Sequence, residues 1–315
     1  MKSWFLLLIS FILTFAFELF LINKEKRHLI GQIERELGPS SHKAKNHTPT
    51  MGGLFFLIVP TVLFIINVCL KKGDYYLTFL LLFPFLTYGL LGLIDDLLII
   101  KMKSNEGINP SLKFFLQIII AVIYFIAYLK FQFNTTLDLF FIKIDLKFFY
   151  GIFILLAFAG FSNALNLTDG IDGLLTINFL ISISFFIIHS KLSLVNNFMY
   201  LLISSLLAFL YFNLPKAKLF MGNVGALALG GVFVSIAIVL HLERYLFLIG
   251  FIYILEALSV VIQVTYFKIS KGKRIFKMAP IHHHFEIVLG SETKALGMMT
   301  IINIFFTILA FWVAK

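Results

Sequence analysis

Long apolar runs, broken by short polar stretches, repeat along this chain almost from end to end. Each approaches the roughly 20 apolar residues that an α-helix needs to cross the hydrocarbon core of a bilayer. Ten can be read: Trp4 to Ile22, then runs near 51–70, 75–96, 111–130, 148–165, 173–190, 195–213, 223–241, 245–267 and 296–314. The first is too long for a signal-peptide core and no clear small-residue cleavage site follows it, so it reads as an anchor. Between the fourth and fifth runs, Asn134-Thr135-Thr136 and the alternating Phe140-Phe141-Ile142-Lys143-Ile144-Asp145 predict a small hairpin within Phe131 to Lys147. The pattern predicts an all-α integral membrane protein of about ten transmembrane helices. Residues 1–315 form a single polytopic domain in this reading.

Composition agrees: 60% of the residues are hydrophobic, 13% are charged, and the mean hydropathy is +0.98. A soluble domain has no use for that much apolar surface. The formal charge of +10 suggests nucleic acid in a soluble protein. In a membrane protein, basic residues instead mark the cytoplasmic face and its anionic lipids, so nucleic acid is set aside. The lone Cys69 excludes an intrachain disulfide. Of the 26 Lys and Arg residues, seventeen flank or occupy the loops after runs one, three, five, seven and nine, among them Arg35, Lys43, Lys101, Lys103, Lys113, Lys216 and Arg274. By the positive-inside rule those loops face the cytoplasm and both termini face out.

The polar interruptions then fall on one side. The densest is Ser162 to Leu174, with amides at Asn163 and Asn166, a hydroxyl at Thr168, carboxylates at Asp169 and Asp172, and glycines at Gly170 and Gly173. Lipid cannot satisfy such groups, so they must line a protein or water-filled cavity. Parity puts this cluster on the predicted cytoplasmic side. The loop after run one, Asp95-Asp96 at the end of run three, Asn213 to Asn223, and Ile281-His282-His283-His284-Phe285-Glu286 fall there as well. Several loops converging on one face suit an active site served from the cytosol; a transporter is expected to concentrate polar groups near the midplane.

Asp95 and Asp96 are neighbours, so on a helix they point about 100° apart. Close carboxylates repel unless a cation or proton intervenes, and magnesium is the simplest candidate, being hard and usually bound by one or two carboxylates plus substrate phosphates. The pair also reads as interfacial acids beside Lys101. Three histidines after Met278-Ala279-Pro280 present imidazoles in several directions, suited to gripping phosphate oxygens or orienting a carboxylate. Zinc is disfavoured, because neither a His-Glu-x-x-His helix nor a set of cysteines is present. Lys113, Lys271, Lys273 and Arg274 add positive charge, for lipid headgroups or for substrate phosphate. Together these groups suggest phosphoryl transfer between a cytosolic nucleotide compound and a lipid.

The motifs resemble the bacterial phospho-N-acetylmuramoyl-pentapeptide transferases, within the polyprenyl-phosphate N-acetylhexosamine-1-phosphate transferases. The resemblance rests on Thr48-Pro49-Thr50-Met51-Gly52-Gly53, Asp95-Asp96, Asn163 through Leu174, Phe220-Met221-Gly222 and Met278 through Glu286, in the family's order. It implies a ten-span helical fold with a cytoplasmic-face site in the bacterial inner membrane. It further implies magnesium-dependent transfer of phospho-N-acetylmuramoyl-pentapeptide from its UDP carrier to undecaprenyl phosphate, giving lipid I and UMP in peptidoglycan synthesis. The implied partners are those two substrates and the bilayer, with a second copy of the chain as a further candidate.

Carried over by position, Asp95 and Asp96 are the acidic pair, Asp95 directed at the lipid phosphate, and with Asn223 they form the implied metal set. Gly170, Ile171, Asp172, Asn213 and Phe220 hold the nucleotide, Phe220 stacking on uracil; Thr50, Asn163, Asn166 and Asp169 complete the implied substrate site. Lys113, His282, His283 and His284 contact phosphates or the sugar.

Four positions depart from the family pattern. Asn223 stands where the family has a third acid, Ile99 where it usually has a lysine, His47 where a glycine usually precedes Thr-Pro-Thr, and Gly297 near a usual arginine. Lys101 is the candidate to replace the lysine by reaching back. An amide oxygen still ligates magnesium but brings no charge, and a unit-charge pair at about 4 Å is worth roughly 4 kcal/mol at intermediate dielectric. Two alternatives follow: a paralogue that binds nucleotide-sugar or lipid without turnover, and a transferase acting on UDP-N-acetylglucosamine.

Overall fold

The computed structural model describes residues 3–28, 48–102, 107–130, 134–138 and 142–315. Segment 29–47, with Arg35, Lys43 and His47, lies outside the described residues, as does Lys103. The predicted runs appear as helices: α1 (Ser3–His28), α2 (Gly53–Lys71), α3 (Tyr75–Met102), α4 (Pro110–Lys130), α5 (Tyr150–Thr168), α6 (Leu174–His189), α7 (Ser193–Asn213) and α8 (Gly222–Val239). They continue with α9 (Leu246–Ile249), α10 (Phe251–Ile269), α11 (Ile281–Leu289) and α12 (Glu292–Val313).

Among the described residues nine helices are long and apolar enough to cross a membrane. The tenth predicted span, α6, has only 16 residues. At about 1.5 Å per residue that is short of a hydrocarbon core of about 30 Å. The ninth span is broken at Gly250 between α9 and α10, where a Cβ would sit 2.5 Å from the Phe161 ring. A side chain there would collide with α5, so the chain turns at the residue that has none.

Helix α8 is the hub. Every residue from Val224 to Val239 is buried. Its small residues let neighbouring backbones approach: a Cβ on Gly230 would lie 2.4 Å from Ser162 Cα of α5, and one on Gly92 of α3 would lie 2.2 Å from the Asn223 carbonyl. Close small-residue contacts of this kind hold helices together where lipid removes the hydrophobic drive. On the periphery, α1 meets α7 through a hydroxyl ladder, Ser10 to Ser205 at 2.8 Å and Thr14 to Ser205 at 3.0 Å.

The hairpin is present as β1 (Thr136–Asp138) and β2 (Lys143–Asp145), antiparallel with Leu137 opposite Ile144; residues 139–141 lie outside the described residues. Arg244 fastens it, its guanidinium 2.7 Å from Asp138. The alternating direction of the helices brings the ends of α3, α5 and α7 together with the starts of α2, α4, α6, α8 and α12. That end carries the polar motifs.

Candidate active site

Two segments distant in sequence are stitched together first. Phe220 N–H donates to the Pro49 carbonyl at 2.8 Å, Gly52 N–H to the Phe220 carbonyl at 2.9 Å, and Gly53 N–H to the Met221 carbonyl at 2.9 Å. The Thr-Pro-Thr-Met-Gly-Gly turn and the Phe-Met-Gly entry into α8 are thereby one unit. Gly222 has φ +76°, and a Cβ there would lie 2.6 Å from Asp96 Oδ2 and 3.2 Å from Thr50 Oγ1. Both the backbone angle and the space call for glycine.

Asp95 and Asp96 sit nearly two turns inside α3 rather than at its end, because the helix runs on to Met102. They diverge as neighbouring helical residues must. Asp96 accepts the first backbone N–H groups of α8, from Asn223 and Val224, each at 3.0 Å. A carboxylate at a helix N-terminus satisfies donors the helix itself cannot. Asp95 faces α4: Lys113 Nζ lies 2.8 Å from Oδ2, and Ile108 N–H donates to Oδ1 at 2.7 Å. Lys101, the proposed substitute for the missing lysine, is exposed and makes no ion pair among the described residues.

The Asp169–Gly173 loop lies between α5 and α6. Asp172 Oδ2 accepts from Ala217 N–H at 2.9 Å, and its own N–H donates to Glu292 Oε1 at 2.8 Å, which ties the loop to the α7–α8 connection and to α12. Ile171 is buried beneath it. Asp169 is half-buried and pairs with no cation among the described residues. Burial, reinforced by the charges of Asp96 and Asp172, pushes its carboxyl up to about 7. Upstream, Asn163 exchanges amide hydrogen bonds with Gln117 of α4, at 2.8 and 3.3 Å. Asn166 is half-buried and makes no hydrogen bond through its side chain among the described residues.

The histidines open the nine-residue helix α11, where a loop was expected. They do point in different directions. His282 is fully buried, with Nδ1 3.0 Å from Glu256 Oε2 of α10 and Nε2 without a partner. That nitrogen lies against Gly170: a Cβ there would be 2.1 Å from it. His282 is enclosed, and what it meets is the backbone of the Asp169–Gly173 loop. His283 Nδ1 lies 3.3 Å from Glu286, and His284 Nδ1 accepts from Lys277 N–H at 3.1 Å, which puts the proton of a neutral His284 ring on Nε2.

Asn213, expected to hold a nucleotide, is buried with both ends of its amide engaged: Oδ1 accepts from Thr176 at 3.0 Å and Nδ2 donates to the Leu219 carbonyl at 3.1 Å. It shapes the loop that leads to the half-buried Phe220. Three partners escaped the sequence reading: Gln117, Glu256 and Glu292. Two of them had a signal, since a lone Gln or Glu inside a membrane span needs a partner.

Which groups could hold a metal follows from this census. Asp95, Asp96, Asp169 and the Asn223 amide supply only oxygen, the donor type of a hard cation. Among the described residues no three His, Cys, Asp or Glu side chains are close enough to form a cage. That suits an ion held by one or two carboxylates and completed by substrate phosphate.

Comparison with known proteins supplies the rest. Residues 78–241 match glycosyl transferase family 4. The chain is 43% identical to a phospho-N-acetylmuramoyl-pentapeptide-transferase of Staphylococcus saprophyticus, over 98% of each chain. It is 42% identical to that of Staphylococcus epidermidis, over 97% of each, and 40% identical to that of Staphylococcus carnosus, over 98% of each. The family match covers α3 through α8, and the pairwise matches extend it over the Thr50 turn and the histidines. This helical membrane protein belongs to glycosyl transferase family 4, alongside the phospho-N-acetylmuramoyl-pentapeptide-transferases.

Proposed function

We propose that the chain, acting as one domain, transfers phospho-N-acetylmuramoyl-pentapeptide from its UDP carrier to undecaprenyl phosphate, forming lipid I and releasing UMP. In net terms the sugar-linked phosphorus exchanges its bond to the bridging diphosphate oxygen for a bond to an oxygen of the lipid phosphate. The observation that carries this reading is the near-full-length likeness to the staphylococcal transferases, and the meeting of this chain's polar motifs at one end of the bundle supports it.

In this reading the Asp169–Asp172 loop and Phe220 hold the nucleotide, and Asn163, Asn166 and Thr50 border it. Asp95 faces the lipid phosphate, with Lys113 held beside it to neutralise charge building on phosphate oxygens. His283 and His284 are the histidines available to phosphate or sugar. His282 and Asn213 act through the loops they fix. Magnesium is the proposed cofactor, with Asp95, Asp96 and Asn223 as the candidate donors and no more than two carboxylates acting together; when bound it would supply positive charge to the diphosphate. The excess of Lys and Arg in alternate loops supports a cytoplasmic-facing site in the bacterial inner membrane.

Transfer of radiolabelled sugar phosphate to undecaprenyl phosphate by the purified chain, with and without magnesium, tests this reading. Magnesium-dependent lipid I from the native chain is the expected result. Product from Asn223→Asp alone would leave the native chain a binding protein. Offering UDP-N-acetylglucosamine in parallel identifies the sugar.

A further inference from the structure

One acid inside a span takes no part in the proposed transfer. Glu256 is fully buried in α10, a helix with no other acid. A carboxyl held among apolar helices is costly unless it is paired. The neighbours offer little: α5, packed along α10, has no Lys, Arg or His, and Lys268, the cation of α10 itself, is about three turns away. Among the described residues the one side-chain partner of the carboxyl is His282, whose Nδ1 lies 3.0 Å from Oε2, while Oε1 has none. That ring is also fully buried, and its Nε2, without a partner, lies against Gly170, where a Cβ would come within 2.1 Å.

The two ring nitrogens cannot carry the proton equally well. A proton on Nε2 would make a buried N–H with no acceptor, facing Gly170; a proton on Nδ1 has Glu256 to receive it. The acid therefore sets both the tautomer and the orientation of the ring, as a carboxylate behind a histidine does. What the ring then meets is the Asp169–Gly173 loop, at a residue with no side chain. The same loop is held two residues on, where Asp172 N–H donates to Glu292 Oε1 at 2.8 Å. Glu292 grips the loop directly, and Glu256 reaches it through the imidazole.

We infer that Glu256 is a positioning residue: it keeps the proton of His282 on Nδ1, turns the bare Nε2 to Gly170, and so braces the Asp169–Gly173 loop in the form that takes up nucleotide. The inference rests on the proposed nucleotide-holding role of that loop. Nitrogen-15 NMR of the full chain labelled at histidine, with the His282 signals identified by their absence from His282→Gln, reads the tautomer, and calorimetry with UMP reads the affinity. The native ring is expected to carry its proton on Nδ1, and its Nε2 signal to move when UMP is added. Glu256→Gln, whose amide oxygen still accepts from Nδ1–H, should keep the tautomer and nearly all of the affinity. Glu256→Leu should mix the tautomers and bind UMP about tenfold more weakly, the scale of one hydrogen bond to a charged group. A native ring protonated on Nε2 overturns the inference. So does a Glu256→Leu variant that unfolds at a lower temperature yet binds UMP as the parent does, which is what a purely structural acid predicts. Should Glu256→Leu not fold, the native chain decides: a His282 signal unmoved by saturating UMP overturns the inference. No UMP binding by the native chain instead overturns the nucleotide role of the loop, and the tautomer still stands or falls on the ring signals.

Discussion

Buried and half-buried acids occur at both ends of this bundle, and they are treated differently. Away from the site, Glu243 accepts a hydrogen bond from the Tyr150 hydroxyl at 2.5 Å, and Asp138 is held by Arg244 at 2.7 Å. Those acids are matched by phenol or guanidinium from the chain itself. At the site end, Asp95 is matched by Lys113 and Asp96 by the N-terminus of α8, but Asp169 is left with burial and two like charges. A network that closes on itself stabilises a fold; one that leaves a carboxyl unmatched and pushed toward its neutral form has room to gain from a cation. Substitutions at the two ends should therefore differ in kind: loss of turnover at one, loss of stability at the other.

The largest effect is expected from Asp95→Ala. It removes the carboxylate proposed to face the lipid phosphate and leaves Lys113 without its partner. Turnover should fall by about 10³-fold or more, the scale of losing a group that acts on transition-state charge. UMP binding, measured by titration calorimetry, should stay within about twofold, because the loss lies in chemistry rather than ground-state binding. A parent-like rate would remove Asp95 from catalysis and erase the contrast between the two ends. Gly170→Ala comes next. Its new Cβ would meet His282 Nε2 at 2.1 Å, and that ring cannot swing away while Glu256 holds its other nitrogen. Overpacking of about 1–3 kcal/mol should appear as roughly fivefold to 150-fold weaker UMP binding. Unchanged affinity would show that the loop does not hold nucleotide.

How much of this could be read from residues alone depends on the physics of each element. Spans were legible because a lipid-facing helix must be apolar throughout, and the observed helices begin and end within a few residues of the predicted runs except where α1 outruns Ile22 and α3 outruns Asp96. Helix α11 was not legible: three histidines after Pro280 carry no apolar period, and only packing against α10 and α12 makes the segment helical. The break at Gly250 was hidden because both sides are equally apolar. Residue types pointed to Asp95, Asp96 and the Asp169–Gly173 loop, which the structure brings to one end of the bundle, but not to which groups are open. Asn213 and His282 turned out to be enclosed because their partners, Thr176, Leu219 and Glu256, come from other elements, and proximity across helices leaves no trace in spacing. Glu256 did leave one, as an acid within an apolar run.

Asn223→Asp sharpens the comparison by adding a carboxylate at the site end. Its backbone N–H already donates to Asp96, so the new carboxylate enters beside an existing one. Without metal the like charges repel and the unfolding temperature should drop. With magnesium the sign reverses, since the ion binds a more negative site. A charge pair of about 4 kcal/mol at intermediate dielectric, reduced by that repulsion, should still lower the half-saturating magnesium concentration by about tenfold, or about 1.4 kcal/mol. Thermal unfolding in chelator and in magnesium reads both halves. If magnesium stabilises native chain and variant equally, Asn223 does not face the ion.

The smallest effect belongs to the other end. Tyr150→Phe keeps the ring, which packs against Tyr128 with centroids 5.5 Å apart, and deletes only the hydroxyl that donates to Glu243. Glu243 is 4% exposed, so water does not readily replace the lost donor. His241, 3.8 Å away and exposed, is too distant for a hydrogen bond. Leaving a buried acceptor short of one donor costs about 1–3 kcal/mol, and the low end is expected because the site lies near the membrane surface. The change should lower the unfolding temperature by a few degrees and leave lipid I formation as in the parent. A loss of turnover without a loss of stability would mean that this network is coupled across the bundle to the acidic site, and that a closed set of hydrogen bonds is not by itself a sign of a purely structural role.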